Sequence, residues 1–244
     1  MKLPNKVFGI ETKEAYARYL EESKKPETKK PKIPKSSTST NGVDLANFVY
    51  VPEHNLYVAK ERTHQGSNWY EIHQSLHQEN ARMITIREFV DFLALLKTGN
   101  ALDGLEQRLP EDEVERIYKD IAEKKDPYRA EWLDADFKVV DGRLHINYNH
   151  RTVNGNLQPQ NSEPLENCVM ENSYIDLIGS ANKQGMPTRG SNNQEFYYWK
   201  PLEDNNSVAR FNAGSNGADV LCSRSPGNSS SALGVRVARR AAQN

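Results

Sequence analysis

The stretch that decides the fold is DNNSVARFNAGSNGADVLCSRSPGNSSSALGVRVARRAA, which runs from Asp204 to Ala242. It contains no Lys, Glu, Gln, Met or Trp, although Lys and Glu are plentiful in the chain before it. Those missing types make up roughly a fifth to a quarter of an average protein, so their joint absence over this length is improbable by chance. The restriction therefore needs a cause.

Two ordinary explanations compete with a functional one. The first is a disordered tail rich in Ser and Asn. The second is a loop-rich β region, in which Gly, Asn, Ser and Asp are common because they tolerate turn conformations. Apolar residues spaced through the stretch argue against the first explanation and leave the second open: Val208, Phe211, Val220, Leu221, Leu233, Val235 and Val237.

FNAGSNG followed by CSRSPGNSSSALGVRVA resembles the variable region of proteins diversified by retroelements, whose C-terminal half has a C-type lectin fold. Earlier stretches, such as ARMITIREFVDFLALL, YRAEWLDADF and SEPLENCVMENSYIDL, resemble the archaeal branch of these proteins, so the resemblance covers most of the chain after about residue 45. In this family the adenines of a template are copied with errors. The favoured codons yield Asn, Ser, Tyr, Asp, Ala, Leu and Arg, but not the five missing types, so the resemblance accounts for the restriction.

The resemblance implies that small polar residues of the tail vary and form the binding face. Matching the tail to the family pattern gives these ligand-binding positions: Asn212, Ser215, Asn216, Asp219, Ser223, Arg224, Ser225, Asn228, Ser229, Ser230 and Ser231. Other residues match the fixed frame of the pattern: Phe211, Gly214, Gly217, Pro226, Gly234, Val235 and Arg236. Because the face has few aromatic anchors, we expect it to bind an arbitrary partner with modest affinity.

The chain divides by composition into residues 1–42 and 43–244. Residues 11–23 have helix-forming composition, and a Lys, Pro and Ser-rich stretch after them is typical of an extended, flexible linker. Its lysines suit a nucleic acid or an acidic partner, but a solvated run of charge is the commoner explanation. The second part is the predicted C-type lectin domain, with its variable region at about 204–238.

Capping boxes predict two helices near the start of this domain. Asn68 with Glu71 precedes WYEIHQSLHQEN, and Thr85 with Glu88 precedes IREFVDFLALLK. A third helix is predicted from Pro110, on the surface, because its sequence is acidic at the beginning and basic at the end. In the second helix one apolar stripe is expected to face the core: Ile86, Phe89, Val90, Leu93 and Leu96.

Short strands are predicted on both sides of these helices. FVYVPEHNLYVAK alternates around a turn, and the DG of FKVVDGRLHINY and the NG of VNGNL predict two further hairpins. Later strand candidates are YIDLIG, EFYYWK, SVARF, ADVLC and LGVRVA. The expected fold is α+β, a C-type lectin fold with two or three helices, short antiparallel strands and long irregular loops.

The composition limits the classes of partner and the location that we expect for the protein. The chain has 244 residues and a net charge of −1, which gives no overall basic footprint for nucleic acid. No apolar run reaches membrane-spanning length, and MKLPNKVFGIETKEAY lacks the apolar segment of a signal peptide. We therefore expect a soluble protein, cytoplasmic by default, with export or association with a virus as alternatives. The sequence leaves the oligomeric state open.

The sequence gives little support for a metal site. His73 and His77 lie four apart on a predicted helix, but no third ligand is evident nearby, so a polar helix face is the default interpretation. We expect structural roles for His145 and His150. Glu163, Pro164 and Asn167 offer the oxygen donors of calcium-binding lectins without their compact motif.

Catalysis lacks a visible site. The ending GVRVAR resembles that of formylglycine-generating enzymes, which share the lectin architecture and need a cysteine pair for copper. Cys168 and Cys222 lie far apart, and their pairing is left open by the sequence. We therefore expect a non-enzymatic binding protein without a metal or cofactor, which recognises a protein or another macromolecule. An enzyme of the formylglycine-generating type and a carbohydrate-binding lectin module are the alternatives.

Overall fold

The computed structural model describes residues 43–241 and, separately, strands β1 (Lys6–Val7) and β2 (Ile10–Glu11), which pair antiparallel. β1 and β2 belong to one unit, and residues 43–241 belong to a second unit. Apart from Glu11, the helix predicted at 11–23 and the linker after it lie outside the described residues.

The second unit contains four α-helices within residues 43–241, one more than the two or three predicted, because α4 is too short to have a periodic sequence pattern: α1 (Trp69–Gln78), α2 (Ile86–Lys97), α3 (Glu111–Ala122) and α4 (Leu177–Ser180). Both predicted capping boxes are confirmed. The Glu71 amide donates to the Asn68 side chain at 3.0 Å, and the Glu88 amide donates to the Thr85 hydroxyl at 3.3 Å. Every residue of the predicted α2 stripe is buried. α3 begins after Pro110 and buries only its apolar side, as an amphipathic surface helix does.

Thirteen strands accompany these helices: β3 (Phe48–Val51), β4 (Leu56–Thr63), β5 (Leu102–Asp103), β6 (Arg129–Val140), β7 (Arg143–Tyr148), β8 (Arg151–Val153), β9 (Asn156–Gln158), β10 (Asn161–Pro164), β11 (Ser173–Ile175), β12 (Phe196–Trp199), β13 (Ser207–Gly214), β14 (Gly217–Arg224) and β15 (Leu233–Arg240). All three predicted hairpins form. At the DG turn, Asp141 and Gly142 have φ of 49° and 73°, the left-handed conformation of a two-residue hairpin turn.

Eleven of these strands form one mixed sheet, whose main path is β11-β12-β14-β13-β6-β15-β4-β3-β5, with β7 and β10 branching from β6. The fold is therefore α+β. The expectation of short antiparallel strands is wrong in two respects. β6 has 12 residues, and the β12–β14 and β15–β6 pairs are parallel. These features depend on partners distant in sequence, which local patterns do not specify.

Two apolar clusters hold the layers together. In one, α2 and α3 pack on the sheet, and the rings of Phe89 and Phe211 lie 4.8 Å apart. In the other, Trp69 of α1 packs with Trp132 of β6 and with Leu233 and Val235 of β15. The tail thus contributes apolar residues to both clusters, which excludes a disordered tail.

A buried arginine joins the last strand to the rest of the unit. The Arg236 side chain is fully buried, and its Nε donates to Glu131 of β6 at 3.0 Å. Its guanidinium also donates to Asp120 of α3 at 2.9 Å and to the carbonyl oxygen of Lys60 on β4. Burial raises the pKa of Glu131, whereas Arg236 and Arg62 lower it. Arg236 therefore links three elements and compensates a buried carboxylate.

We expect Arg236→Met to reduce the free energy of unfolding by about 3–5 kcal/mol, because it leaves Glu131 buried without its main cationic partner. Denaturant unfolding measures this change. Arg240→Met, at an exposed position on the same strand, is the control and should change the stability by about 0.5 kcal/mol or less. Replacing Glu131 by Leu in the Arg236→Met background should restore part of the loss. A loss below about 1 kcal/mol for Arg236→Met would contradict this account.

Candidate recognition surface

The residues predicted to vary lie on the β13–β14 hairpin and on the segment 225–232 that follows it. All of them are exposed or half-buried. The residues predicted to form the fixed frame are buried, except Gly217, which is half-buried. Exposure therefore separates the two sets along one continuous stretch of chain.

The hairpin carries a core face and an outer face because side chains alternate along a strand. Phe211 points inward, against Phe89 and Phe196. Its neighbour Asn212 points outward and is paired in register with Asp219. The Asn212 side chain donates to the Asp219 carboxylate at 3.3 Å. Inward residues thus fix the strands, and outward residues contact mainly each other.

The tip of the hairpin consists of two exposed residues, Ser215 and Asn216, between the paired Gly214 and Gly217. Gly217 has φ of 133°, which only glycine adopts readily. The turn therefore depends on a frame glycine and leaves the side chains of Ser215 and Asn216 free to differ.

Main-chain hydrogen bonds hold the segment 225–232. The Trp69 amide donates to the carbonyl oxygen of Pro226 at 3.0 Å. The Gly66 amide donates to the carbonyl oxygens of Ser230 and Leu233 at 3.0 and 3.1 Å. Because these acceptors belong to the main chain, the path of the segment does not depend on most of its side chains.

Two arginines of the hairpin leave donors unused. The Nε atoms of Arg210 and Arg224 are buried and have no hydrogen-bond partner among the described residues, and the same holds for Oδ1 of Asn212. Burial lowers the pKa of Arg210, as does the nearby charge of Arg224, and burial raises the pKa of Asp219. The outer face therefore contains buried polar atoms that the described residues leave without a partner.

Arg210 and Tyr128 also belong to this surface but were not predicted from the sequence. Arg210 lies two residues before Asn212, so the strand alternation was a signal for its outward position. Tyr128 precedes β6 and is 40% exposed, and its hydroxyl is 3.1 Å from that of Ser230. Nothing in the local sequence indicates that Tyr128 lies beside the tail.

The other residues considered as metal ligands do not belong to the outer face of the tail. Glu163 accepts from the hydroxyl of Tyr148 at 2.7 Å and from the amide of Gln184 at 3.2 Å. The hydrogen bond from Tyr148 lowers the pKa of Glu163. Both carboxylate oxygens of Glu163 are thus already used within the protein. Cys168 and Cys222 are free thiols, and burial raises the pKa of both.

The interpretation of His73 as part of a polar helix face is wrong. His73 is buried, because the turn of α1 directs it toward β6, whereas His77 is exposed. Its Nε2 is 3.7 Å from Oδ1 of Asp134, and that oxygen is 2.5 Å from Nδ1 of His150. The sequence signal was incomplete because these groups meet only through tertiary packing.

Comparison of the chain with protein-family models, with curated proteins and with solved structures finds no match. Within residues 43–241 no helix has the length and apolar character needed to cross a membrane.

We expect Tyr at Ser215, Asn228 or Ser229 to change the free energy of unfolding by about 0.5 kcal/mol or less each, because these side chains are exposed. Phe211→Ala, within the same stretch, should cost about 3–5 kcal/mol through the cavity it leaves. Thermal and denaturant unfolding of the four single variants tests the contrast. Comparable losses of unfolding free energy at the exposed positions and at Phe211 would contradict the division of the tail into fixed and varying residues.

Gly234→Ala should destabilise the protein by about 1–3 kcal/mol, because a Cβ at this position would lie 2.6 Å from the carbonyl oxygen of Thr63. Gly227→Ala is the matched control. Its Cβ would lie 3.8 Å from Oγ of Ser225, an ordinary van der Waals contact, so a change of about 0.5 kcal/mol or less is expected. Equal denaturation midpoints for the two variants would show that Gly234 is not required by the close approach of β4.

Proposed function

We propose that the protein is a non-enzymatic ligand-binding protein of the retroelement-diversified, archaeal type, with a C-type lectin fold. Its diversified C-terminal surface recognises a protein or another macromolecule. The observation that carries this proposal is the match between two independent divisions of the tail. The family resemblance divides it into varying and fixed residues, and solvent exposure divides it in the same way.

The architecture supports the lectin assignment. α1 and α2 follow the first hairpin, and most strands are short and joined by irregular connections, as the resemblance implied. The last strand, β15, lies between β6 and β4. Its residue Arg236, which belongs to the GVRVAR ending, donates a hydrogen bond to Glu131 of β6. A terminal strand inside the sheet gives the tail a rigid base.

The hydrogen bonding of the tail supports diversification. A surface that changes its side chains needs a backbone path that does not depend on them. Main-chain groups of Pro226, Ser230 and Leu233 hold the segment 225–232, and glycine shapes the hairpin turn. Substitutions at the exposed positions can therefore alter recognition without loss of the fold.

The two alternatives draw less support from the structure. A copper-dependent enzyme of the formylglycine-generating type needs a pair of thiolates, and burial raises the pKa of both Cys168 and Cys222, which favours the protonated thiols. A calcium-dependent lectin needs uncommitted oxygen donors, and Glu163 already accepts from Tyr148 and Gln184.

Deep sequencing of the 3′ end of this gene in its source population tests the proposal, together with a search for an adjacent template repeat. We expect substitutions at codons for the eleven exposed or half-buried positions, adenines at the matching template positions, and a neighbouring reverse transcriptase. Codons for Phe211, Gly234 and Arg236 should stay constant. An invariant tail with no repeat would overturn the proposal.

A further inference from the structure

Three metal-ligating side chains meet in the interior, on the side of the sheet that carries α1. His73 comes from α1, Asp134 from β6, and His150 from the turn between β7 and β8. One donor atom from each lies within 4.8 Å of the other two, and all three residues are buried. Such a convergence of two imidazoles and a carboxylate is a common donor set for first-row transition metals.

The hydrogen bonding of this cluster is incomplete. Nε2 of His73 is buried and has no hydrogen-bond partner among the described residues. At 3.7 Å, its nearest acidic oxygen, Oδ1 of Asp134, is too far for a hydrogen bond. Buried polar atoms in folded proteins nearly always have a partner. A cation between the two atoms would give Nε2 of His73 a partner, and it would displace the proton that Oδ1 of Asp134 shares with Nδ1 of His150 at 2.5 Å.

The surroundings of the cluster fit a metal site. The other oxygen of Asp134 accepts from the main-chain amide of His150 at 3.0 Å, which fixes the carboxylate. Nε2 of His150 faces Oδ1 of Asp136 at 3.6 Å, and that oxygen also lacks a hydrogen-bond partner among residues 43–241. A carboxylate behind a ligating histidine is the usual support for a metal site.

An apolar wall and an entry path complete the site. The indole of Trp69 packs edge-on against His73 and His150, with ring centroids 4.2 and 5.0 Å away. On the other side, both histidines line an open groove of about 900 Å³, together with His77 and Asn149. An ion can therefore reach the histidines from solvent.

We propose that His73, Asp134 and His150 bind a divalent transition-metal ion of the zinc class, and that Asp136 orients His150. Imidazole ligands select against calcium and magnesium, which prefer oxygen. The ion would join α1, β6 and the β7–β8 turn. An ion here would support the recognition surface, because Trp69 at the start of α1 also holds Pro226 by its main-chain amide. The inference does not depend on diversification of the tail.

The test uses the untagged full-length protein, stripped of metal with a chelator and titrated with Zn²⁺ by calorimetry. We expect one ion per chain with a Kd of about 0.1 µM or tighter, as for structural zinc sites. Zinc should also raise the Tm, because it binds the folded state. Co²⁺ in its place should give the visible absorption of a site with fewer than six ligands.

Three variants separate this site from others. His73→Ala should weaken zinc binding by roughly 100-fold or more, and Asp136→Asn by roughly 10–100-fold. His145→Ala, at a half-buried position on β7 outside the groove, is the matched control and should bind as the wild type does. Circular dichroism of the metal-free variants verifies folding.

Failure of the wild type to bind Zn²⁺, with no change in Tm, would overturn the proposal and leave a proton shared by Asp134 and His150 as the account of the cluster. Wild-type affinity in a folded His73→Ala variant, or loss of binding in a folded His145→Ala variant, would overturn it as well. Should His73→Ala not fold, Asp136→Asn and the Co²⁺ spectrum of the wild type decide. These results are independent of the sequencing test of the proposed function.

Discussion

The buried ion pair between Arg236 and Glu131 is the interaction on which the rest of the structure depends. Arg236 lies four residues before the end of β15, and its guanidinium reaches β6, α3 and the main chain of β4. A charge at this depth is tolerated only when its partners are in place. The pair therefore fixes β15 between β6 and β4. Because β15 follows the segment 225–232 directly, it also fixes the end of that segment.

Because β15 is fixed in this way, the inward and the exposed residues of the tail have different roles. Inward residues such as Phe211 and Val235 belong to the apolar clusters, and glycines occupy the positions where the chain passes close to another strand or turns sharply. The exposed residues between them contribute little to packing. Main-chain hydrogen bonds to Gly66 and Trp69 hold the segment, so the same backbone can carry many surfaces.

Local features could be predicted from the sequence, and features that depend on distant partners could not. Capping boxes at Asn68 and Thr85 and the DG and NG turns act over a few residues, and each forms as predicted. The parallel pairing of β15 with β6, the start of β6 at Arg129 and the short helix α4 have no local signature. In the tail the positions predicted by the match to the family pattern are exposed or half-buried, whereas Tyr128 comes from another part of the chain. The burial of His73 was missed for the same reason, since Asp134 and His150 meet it only in the folded protein.

The most direct test of the account is a saturation library over residues 207–240, selected for resistance to proteolysis. We expect the eleven exposed or half-buried positions to accept nearly all residue types, including the Lys, Glu, Gln, Met and Trp that are absent from the natural tail. We expect Phe211, Gly234 and Arg236 to accept almost none. Equal tolerance at the two sets of positions would contradict a fixed frame with a changeable surface.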